Sequence, residues 1–328
     1  MHTFDLQAHR GGRMARPENT LAAFEYAIRL GVSTLELDMH VTADNVVVIS
    51  HNPVLSWYLA RDERGQWITP GYEPVLYSMT FPELRRYNVG GVNRACTDYW
   101  TKYGQYQQAV KWEPIPTLAE VFTLVQHYGA DSIRFNMETK CYPGHPDWSP
   151  LPAEFCRSVL AVVDQFAMRD RVMIQSFDWR TLIASKKLDP ALPCAALTDS
   201  ESRQADESGL SPWLGGMNPA DYDNSMVRTA KAAGADVLSP YYQDVDTCLM
   251  AEAAANQLPV IPWTVNNRQD MQELMDLGVA GLITDQPALL REVMEARNMQ
   301  LPPAYTKNIK LIMEQEFFYP QRRVISGK

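Results

Sequence analysis

Short apolar runs alternate with amphipathic stretches along the whole 328-residue chain. Residues 4–9, 34–38, 132–138, 171–176, 193–198, 235–239, 260–265 and 281–284 have the length and composition of strands. Between them, residues 17–30, 117–128, 152–167, 225–233, 246–256 and 268–277 place apolar side chains at helical spacing. Pro17 and Glu18 open the first helical stretch, and Gly31, Gly129, Gly234 and Gly278 stand where helices give way to the next strand. Eight strands interleaved with helices predict an α/β protein, a (β/α)8 TIM barrel. An open doubly wound sheet is the alternative. That fold usually carries a glycine-rich phosphate loop after its first strand. Here the first strand ends in His9-Arg10-Gly11-Gly12, and neither GxGxxG nor GxxxxGK[ST] occurs.

Two departures from a plain barrel are visible. Residues 46–50 follow the second strand after a turn at Ala43-Asp44-Asn45, and read as a hairpin return. The stretch of about 53–113 is long, aromatic and weakly periodic apart from 80–87, as expected of a lid, a subdomain or an ordered surface excursion. The predicted organisation is therefore one barrel domain over 1–300 with that insertion, and a tail over 301–328. The tail, with Phe317-Phe318-Tyr319, either packs on the barrel or mediates contacts.

In a barrel, side chains that do chemistry gather at the C-terminal ends of the strands. His9 and Arg10 end the first strand. Glu36 and Asp38 end the second and share one face by alternation, with Leu35 and Leu37 opposite. Asn136, Glu138 and Lys140 share one face of the third, and His51 ends the hairpin strand. Ionised carboxylates are not buried unpaired, and a hard divalent cation is the simplest partner for them. Glu36, Asp38 and Glu138 thus read as ligands of one divalent cation, Mg2+ or Ca2+, with positions left for water and substrate. Arg10 and Lys140 would add fixed positive charge for phosphoryl oxygens, and His9 and His51 would move protons. One Glu or His at a strand end is usually only solvated or satisfied; convergence on neighbouring strands is what favours chemistry. His40 alternates with Glu36 and Asp38, but alternation alone does not place it in the site, and like His2, His127 and His145 it lacks the company of the other residues. His127, in the last turn of a helix, reads as a C-terminal charge partner.

The net charge of −9 argues against a general nucleic-acid or anionic-membrane binder, though not against a small anionic substrate. The five cysteines are odd in number and form no CxxC pair, so free thiols are expected. No apolar run reaches 18 residues, so no membrane-spanning helix is expected. The start of the chain lacks a basic segment followed by an apolar one. As written it reads as cytoplasmic, and a trimmed leader would make it periplasmic or secreted.

These residues resemble the glycerophosphodiester phosphodiesterase family. The likeness runs in order through Ala8-His9-Arg10-Gly11, Pro17-Glu18-Asn19-Thr20, Glu36-Leu37-Asp38 and His51. It continues through Pro116-Thr117-Leu118, Asn136-Met137-Glu138-Thr139-Lys140, Ser176-Phe177-Asp178, Pro262-Trp263-Thr264-Val265-Asn266 and Gly281-Leu282-Ile283-Thr284-Asp285. The resemblance implies a barrel hydrolase that splits glycerophosphodiesters into glycerol 3-phosphate and an alcohol. It also implies Glu36, Asp38 and Glu138 as metal ligands, His9 and His51 as the acid–base pair, Arg10 and Lys140 as phosphate contacts, and Trp263 as a wall of the substrate pocket. Asn19 would stabilise the first loop. One departure stands out: the family usually carries Asp after the second histidine, and here Asn52 follows His51. The loss of that charge is expected to lower the pKa of the imidazole. Two other readings remain at this point: a lysophospholipid phosphodiesterase of phospholipase D type on the same barrel, and a barrel that binds phosphoesters without turnover.

Overall fold

Eight regular strands organise the chain: β1 (Asp5–Ala8), β2 (Thr34–Val41), β3 (Val47–Ile49), β4 (Arg134–Thr139), β5 (Val172–Ser176), β6 (Cys194–Thr198), β7 (Val237–Pro240) and β8 (Gly281–Thr284). The structure is a computed structural model and describes residues 4–307; the Phe317-Phe318-Tyr319 stretch lies outside them. Seven strands form one parallel sheet in the order β7-β6-β5-β4-β2-β1-β8, and β3 pairs antiparallel with β2 as the hairpin return expected from 46–50.

The sheet curls. Asn136 on β4 donates across β2 to the side-chain oxygen of Gln7 on β1, at 2.8 Å, a reach that a flat sheet would not permit. Alternation sorts the side chains. Leu35, Leu37, Phe135 and Met137 turn toward the helices, where Phe135 meets Phe122 edge-on at 4.8 Å. Gln7, Glu36, Asp38, Asn136, Glu138 and Gln175 turn inward and are buried. Each fully buried aromatic or aliphatic side chain on the outer layer contributes roughly 1.5–3 kcal/mol.

The expected strand at 260–265 is not regular. Pro259 and Pro262 have no N–H to give, so a continuous ladder is impossible there. The segment nonetheless spans the two edges of the sheet. On the β7 side, Leu238 N donates to Pro259 O, Ile261 N to Leu238 O and Trp263 N to Pro240 O, at 2.9–3.1 Å; on the β8 side, Val265 N donates to Ile283 O and Ile283 N to Pro262 O, both at 3.0 Å.

The first helix is also shorter than its pattern. It runs Leu21–Leu30, not 17–30. Thr20 is extended, and its hydroxyl caps the helix by accepting from Ala23 N at 3.1 Å while donating to Pro17 O. Asn19 is left-handed (φ 55°). Residues 17–19 are thereby left as a loop that returns to the strand ends. The helices Leu118–His127, Pro152–Gln165, Met226–Ala232, Thr247–Ala255 and Arg268–Asp276 match their patterns to within a few residues; Trp179–Leu188 and Pro287–Ala296 complete the set around the sheet. The four helix-ending glycines all have positive φ.

The 53–113 stretch has a small core of its own. Leu55, Ala60, Leu76, Met79 and Leu84 pack with Val48 of β3 and with Ile115, just beyond the stretch. Only Phe81–Leu84 of the periodic 80–87 is helical. The start of the tail packs back: Tyr305 N donates to Ile28 O, and the Arg291 guanidinium donates to Pro302 O. All five cysteines are free.

Candidate active site

Register brings the acids together. In the β2–β4 pairing Asp38 lies beside Glu138 and Glu36 beside Asn136, and in β4–β5 Glu138 lies beside Gln175. Glu36, Asp38 and Glu138 offer carboxylate oxygens that all lie within 4.8 Å of one another, and all three residues are buried. The β2–β3 hairpin returns the chain to the same level, where Ser50 N donates to Asp38 O at 2.9 Å, and His51 follows. On the far side, Ala8 pairs with Thr284, so the next residues, His9 and Asp285, meet at the ends of β1 and β8.

Each carboxylate is held in place. Glu36 accepts from the Arg10 backbone N (2.8 Å) and from Gln175 Nε2 (2.6 Å). That first bond requires Arg10 to sit in the left-handed region (φ 51°), a conformation costing roughly 1–3 kcal/mol outside glycine. Asp38 Oδ2 accepts from Asn19 Nδ2 (2.8 Å) and lies 3.3 Å from Arg10 Nε. Lys140 Nζ lies 3.1 Å from Asp38 Oδ1 and 2.7 Å from Glu138 Oε1. Asp38 Oδ1 is buried and accepts no hydrogen bond of good geometry.

Electrostatics divides these acids. Burial, together with Asp38 and Glu138, pushes Glu36 well above the usual carboxylate range. Burial raises Glu138 to about 7, and Lys140 only partly opposes it. Asp38 is buried too, yet Lys140 and Arg10 hold it well below its ordinary value. Three convergent oxygen donors, one with an unused buried lone pair and two disfavoured as anions, fit a hard divalent cation.

The histidines have defined tautomers. Asp285 Oδ1 lies 2.6 Å from His9 Nδ1. Asp285 is kept ionised by Arg13, its strongest cation, and by the hydrogen bond with His9, against its burial. A carboxylate only accepts, so Nδ1 carries the hydrogen. Burial drops His9 to about 4 despite Asp285, leaving a neutral ring whose Nε2 lone pair points toward Glu36, 4.0 Å away. His51 Nδ1 lies 2.7 Å from Asn52 Oδ1, and the Asn52 amide donates to Ser56 Oγ (2.5 Å) and Tyr58 Oη (2.8 Å). Asn52 thus orients the ring without a charge. Burial, with Arg10 and Lys140 nearby, lowers His51 well below 6.5. His40 sits behind the site; its Nε2 contacts His51 O at 3.3 Å, and its ring stacks on Tyr142.

His9, Arg10, Glu36, His51, Glu138, Lys140 and Trp263 line one cleft of about 120 Å³. Asp38 does not line the cleft but joins these seven through Glu36, Glu138 and Lys140, so the eight site residues expected from the sequence are neighbours. Trp263 stands at its wall, with its indole N–H donated to Ser239 O at 3.0 Å and Phe177 edge-on at 5.3 Å. Five supporting residues have no site role assigned from the sequence, although Glu18 and Asp285 stand inside the motifs of the family resemblance. Arg13 and Asp285 pair beside His9; Glu18 accepts from Arg10 at 2.8 Å and from the Tyr99 hydroxyl; Gln175 steers Glu36. Asp285 does end a strand, and the strand-end rule applied to β8 points to it. Tyr99, which comes from the insertion, carries no comparable signal.

Residues 9–289 match the glycerophosphoryl diester phosphodiesterase family. The chain belongs to this family. It is accordingly an enzyme, a phosphodiester hydrolase. A glycerophosphodiester phosphodiesterase of Caldanaerobacter subterraneus subsp. tengcongensis is 28% identical over 288 residues, which cover 86% of this chain and 94% of that one. Among solved structures, a Silicibacter pomeroyi protein assigned as a glycerophosphoryl diester phosphodiesterase superposes with a TM-score of 0.79 and 31% identity, covering 93% of this chain and 96% of that one. A phosphodiesterase of Oleispira antarctica, solved with its product sn-glycerol-3-phosphate, shares the fold at a TM-score of 0.65 and 21% identity, covering 89% of this chain and 96% of that one. Among the described residues, no helix is long and apolar enough to cross a membrane.

Proposed function

We propose that this chain hydrolyses small glycerophosphodiesters to glycerol 3-phosphate and an alcohol with the aid of one divalent cation, Mg2+ or Ca2+, held by Glu36, Asp38 and Glu138. The observation that carries the reading is the buried carboxylate triad with two neutral histidines beside it. Its fold is a (β/α)8 barrel in which 259–265 takes the place of the seventh barrel strand. Residues 1–300 act as one domain, with 53–113 built onto the mouth.

When bound, the cation supplies Lewis-acid charge for a phosphoryl oxygen. The chain's residues do the rest. Arg10 and Lys140 turn donors not used by the carboxylates to the remaining phosphoryl oxygens. His9 Nε2 and His51 Nε2 each present a lone pair to the cleft. One takes a proton from the attacking oxygen, and the other, once protonated, delivers one to the leaving oxygen. Trp263 closes one wall. The attacking oxygen is either water or the substrate's own glycerol 2-hydroxyl, the latter favoured by proximity and passing through a cyclic phosphate.

The test is release of glycerol 3-phosphate from glycerophosphoglycerol and glycerophosphocholine, before and after EDTA, with Mg2+ or Ca2+ returned. Release that EDTA abolishes and one ion restores is expected. Undiminished release in EDTA rejects the metal assignment, and no release with either ion rejects the substrate class in favour of lysophospholipids or ligand binding alone.

A further inference from the structure

Beside the cleft of His9 and the triad lies a second one of about 490 Å³. The two share His51, Glu138, Lys140, Phe177 and Trp263, so a group in the second cleft is one residue's width from the phosphoryl position. Its outer wall is aromatic. Tyr142 and Trp148 come from the loop after β4, and Trp213 from the loop after β6. Tyr142 stands between the two indoles, at 5.2 Å and 78° to Trp148 and at 6.3 Å and 77° to Trp213. His145 stacks on one face of Trp148 at 3.7 Å.

Two acids complete this wall. Asp199 follows β6, and Glu201 lies two residues on. Asp199 Oδ1 accepts from Ser202 N at 2.7 Å, and among the described residues neither acid has an ion-pair partner; the nearby Arg203 is committed to Asp244 at 2.9 Å. The rings pack edge to face along one wall of the cleft, with His40 and His145 stacked on one face each of Tyr142 and Trp148, and the half-buried Asp199 and exposed Glu201 stand at its edge; this lining matches one ligand chemistry. An organic cation is attracted to ring faces by their quadrupoles and to the acids by charge. A quaternary ammonium fits best, because it needs no hydrogen-bond acceptors and loses little hydration on meeting indoles.

We propose that this cleft is the subsite for the leaving alcohol, and that the alcohol it selects carries a quaternary ammonium, as choline does. The inference rests on the diesterase reading, since the shared wall is what places the cation next to phosphorus. Trp213, with Tyr142 and Trp148 beside it, supplies the aromatic wall, and Asp199 and Glu201 the countercharge.

The test has two arms. In the first, kcat/KM is compared for glycerophosphocholine and glycerophosphoglycerol in the parent enzyme, Trp213→Ala and the near-isosteric Asp199→Asn. The parent should prefer the choline diester about tenfold, and each variant should lower that preference about fivefold through KM, the order of a cation–π or ion-pair contact removed from water. Equal kcat/KM in the parent, or a preference untouched by both variants, overturns the proposal. The second arm needs no turnover. Choline and its neutral isostere 3,3-dimethylbutan-1-ol are titrated into the same proteins by calorimetry. Choline should bind more tightly than the isostere, and less tightly to Trp213→Ala. Equal binding of the two overturns the subsite. If neither diester is hydrolysed while choline binds as expected, the diesterase reading fails and the cation subsite stands.

Discussion

At the scale of the residue, the site is a set of polar groups whose ionisation is decided by neighbours. His9 is the clearest case. Asp285 fixes its tautomer, and burial lowers its pKa to about 4, so the ring is neutral and its Nε2 lone pair is free throughout the physiological range. His9→Ala or His51→Ala should lower kcat by roughly 10² or more, the usual share of general acid–base catalysis. Near-normal turnover in both variants would remove the acid–base pair from the mechanism. Asp285→Asn keeps the shape but can present its amide to Nδ1 and reverse the tautomer. We expect it to lower kcat by about the same factor while KM moves little; a change confined to KM would make Asp285 a binding residue. His9, Arg10, Glu36, Asp38, His51, Glu138, Lys140 and Trp263 were all legible from strand ends and the family resemblance. Asp285 was not assigned because 276 residues separate it from His9 and only the pairing of β1 with β8 joins them.

At the scale of the element, the decisive piece is the turn His9–Gly11 after β1. It aims the Arg10 N–H at Glu36 and closes against the first helix. Gly11 is left-handed (φ 80°), and a Cβ there would lie 2.8 Å from Ala23 Cβ and 2.9 Å from the Ala23 carbonyl carbon. Gly11→Ala must therefore move the helix start or the turn. Left-handed strain alone costs roughly 1–2 kcal/mol, and the clash adds to it. Urea unfolding should show a loss above about 2 kcal/mol, accompanied by lost activity; full stability would mean that the helix yields easily. Helical periodicity read 17–30 as one helix, although Thr20 is a strong cap in its own right. The loop that this cap frees places Glu18 and Asn19 on Arg10 and Asp38.

At the scale of the whole molecule, the inner face of the curled sheet holds more acid than its own cations offset, and this links stability to pH. In the free protein Glu36 and Glu138 bind protons more tightly folded than unfolded, with Glu138 near 7. The contribution of Glu138 to stability is therefore complete below about 4.5 and is lost as pH rises through 7, and Glu36 acts in the same direction. A divalent cation held by these carboxylates, as proposed, would replace those protons, and should therefore raise Tm by several degrees at pH 8 and by little at pH 5.5. Glu138→Gln should shrink the pH 8 increment. Calorimetric scans showing an equal increment at both pH values would place the cation elsewhere. The insertion belongs to this scale as well. Tyr99 holds Glu18, Tyr58 holds Asn52, and the Tyr103 ring lies 4.2 Å from the Arg13 guanidinium. Tyr99→Phe leaves a buried Glu18 oxygen with one donor fewer and should cost roughly 1–3 kcal/mol in urea unfolding; an unchanged midpoint would reduce the insertion to a cover.

The linear chain by itself determined the alternation of strands and helices, the glycine stops, the β2–β3 hairpin and the facing of Glu36 with Asp38, because each depends on neighbours a few residues apart. Only tertiary structure decided the register that sets Asp38 beside Glu138, the meeting of His9 with Asp285, the bonds that 259–265 makes to β7 and β8, and the tyrosines that reach in from the insertion. Those depend on pairings between residues from tens to hundreds of positions apart, and local periodicity carries no information about which distant strand lies alongside.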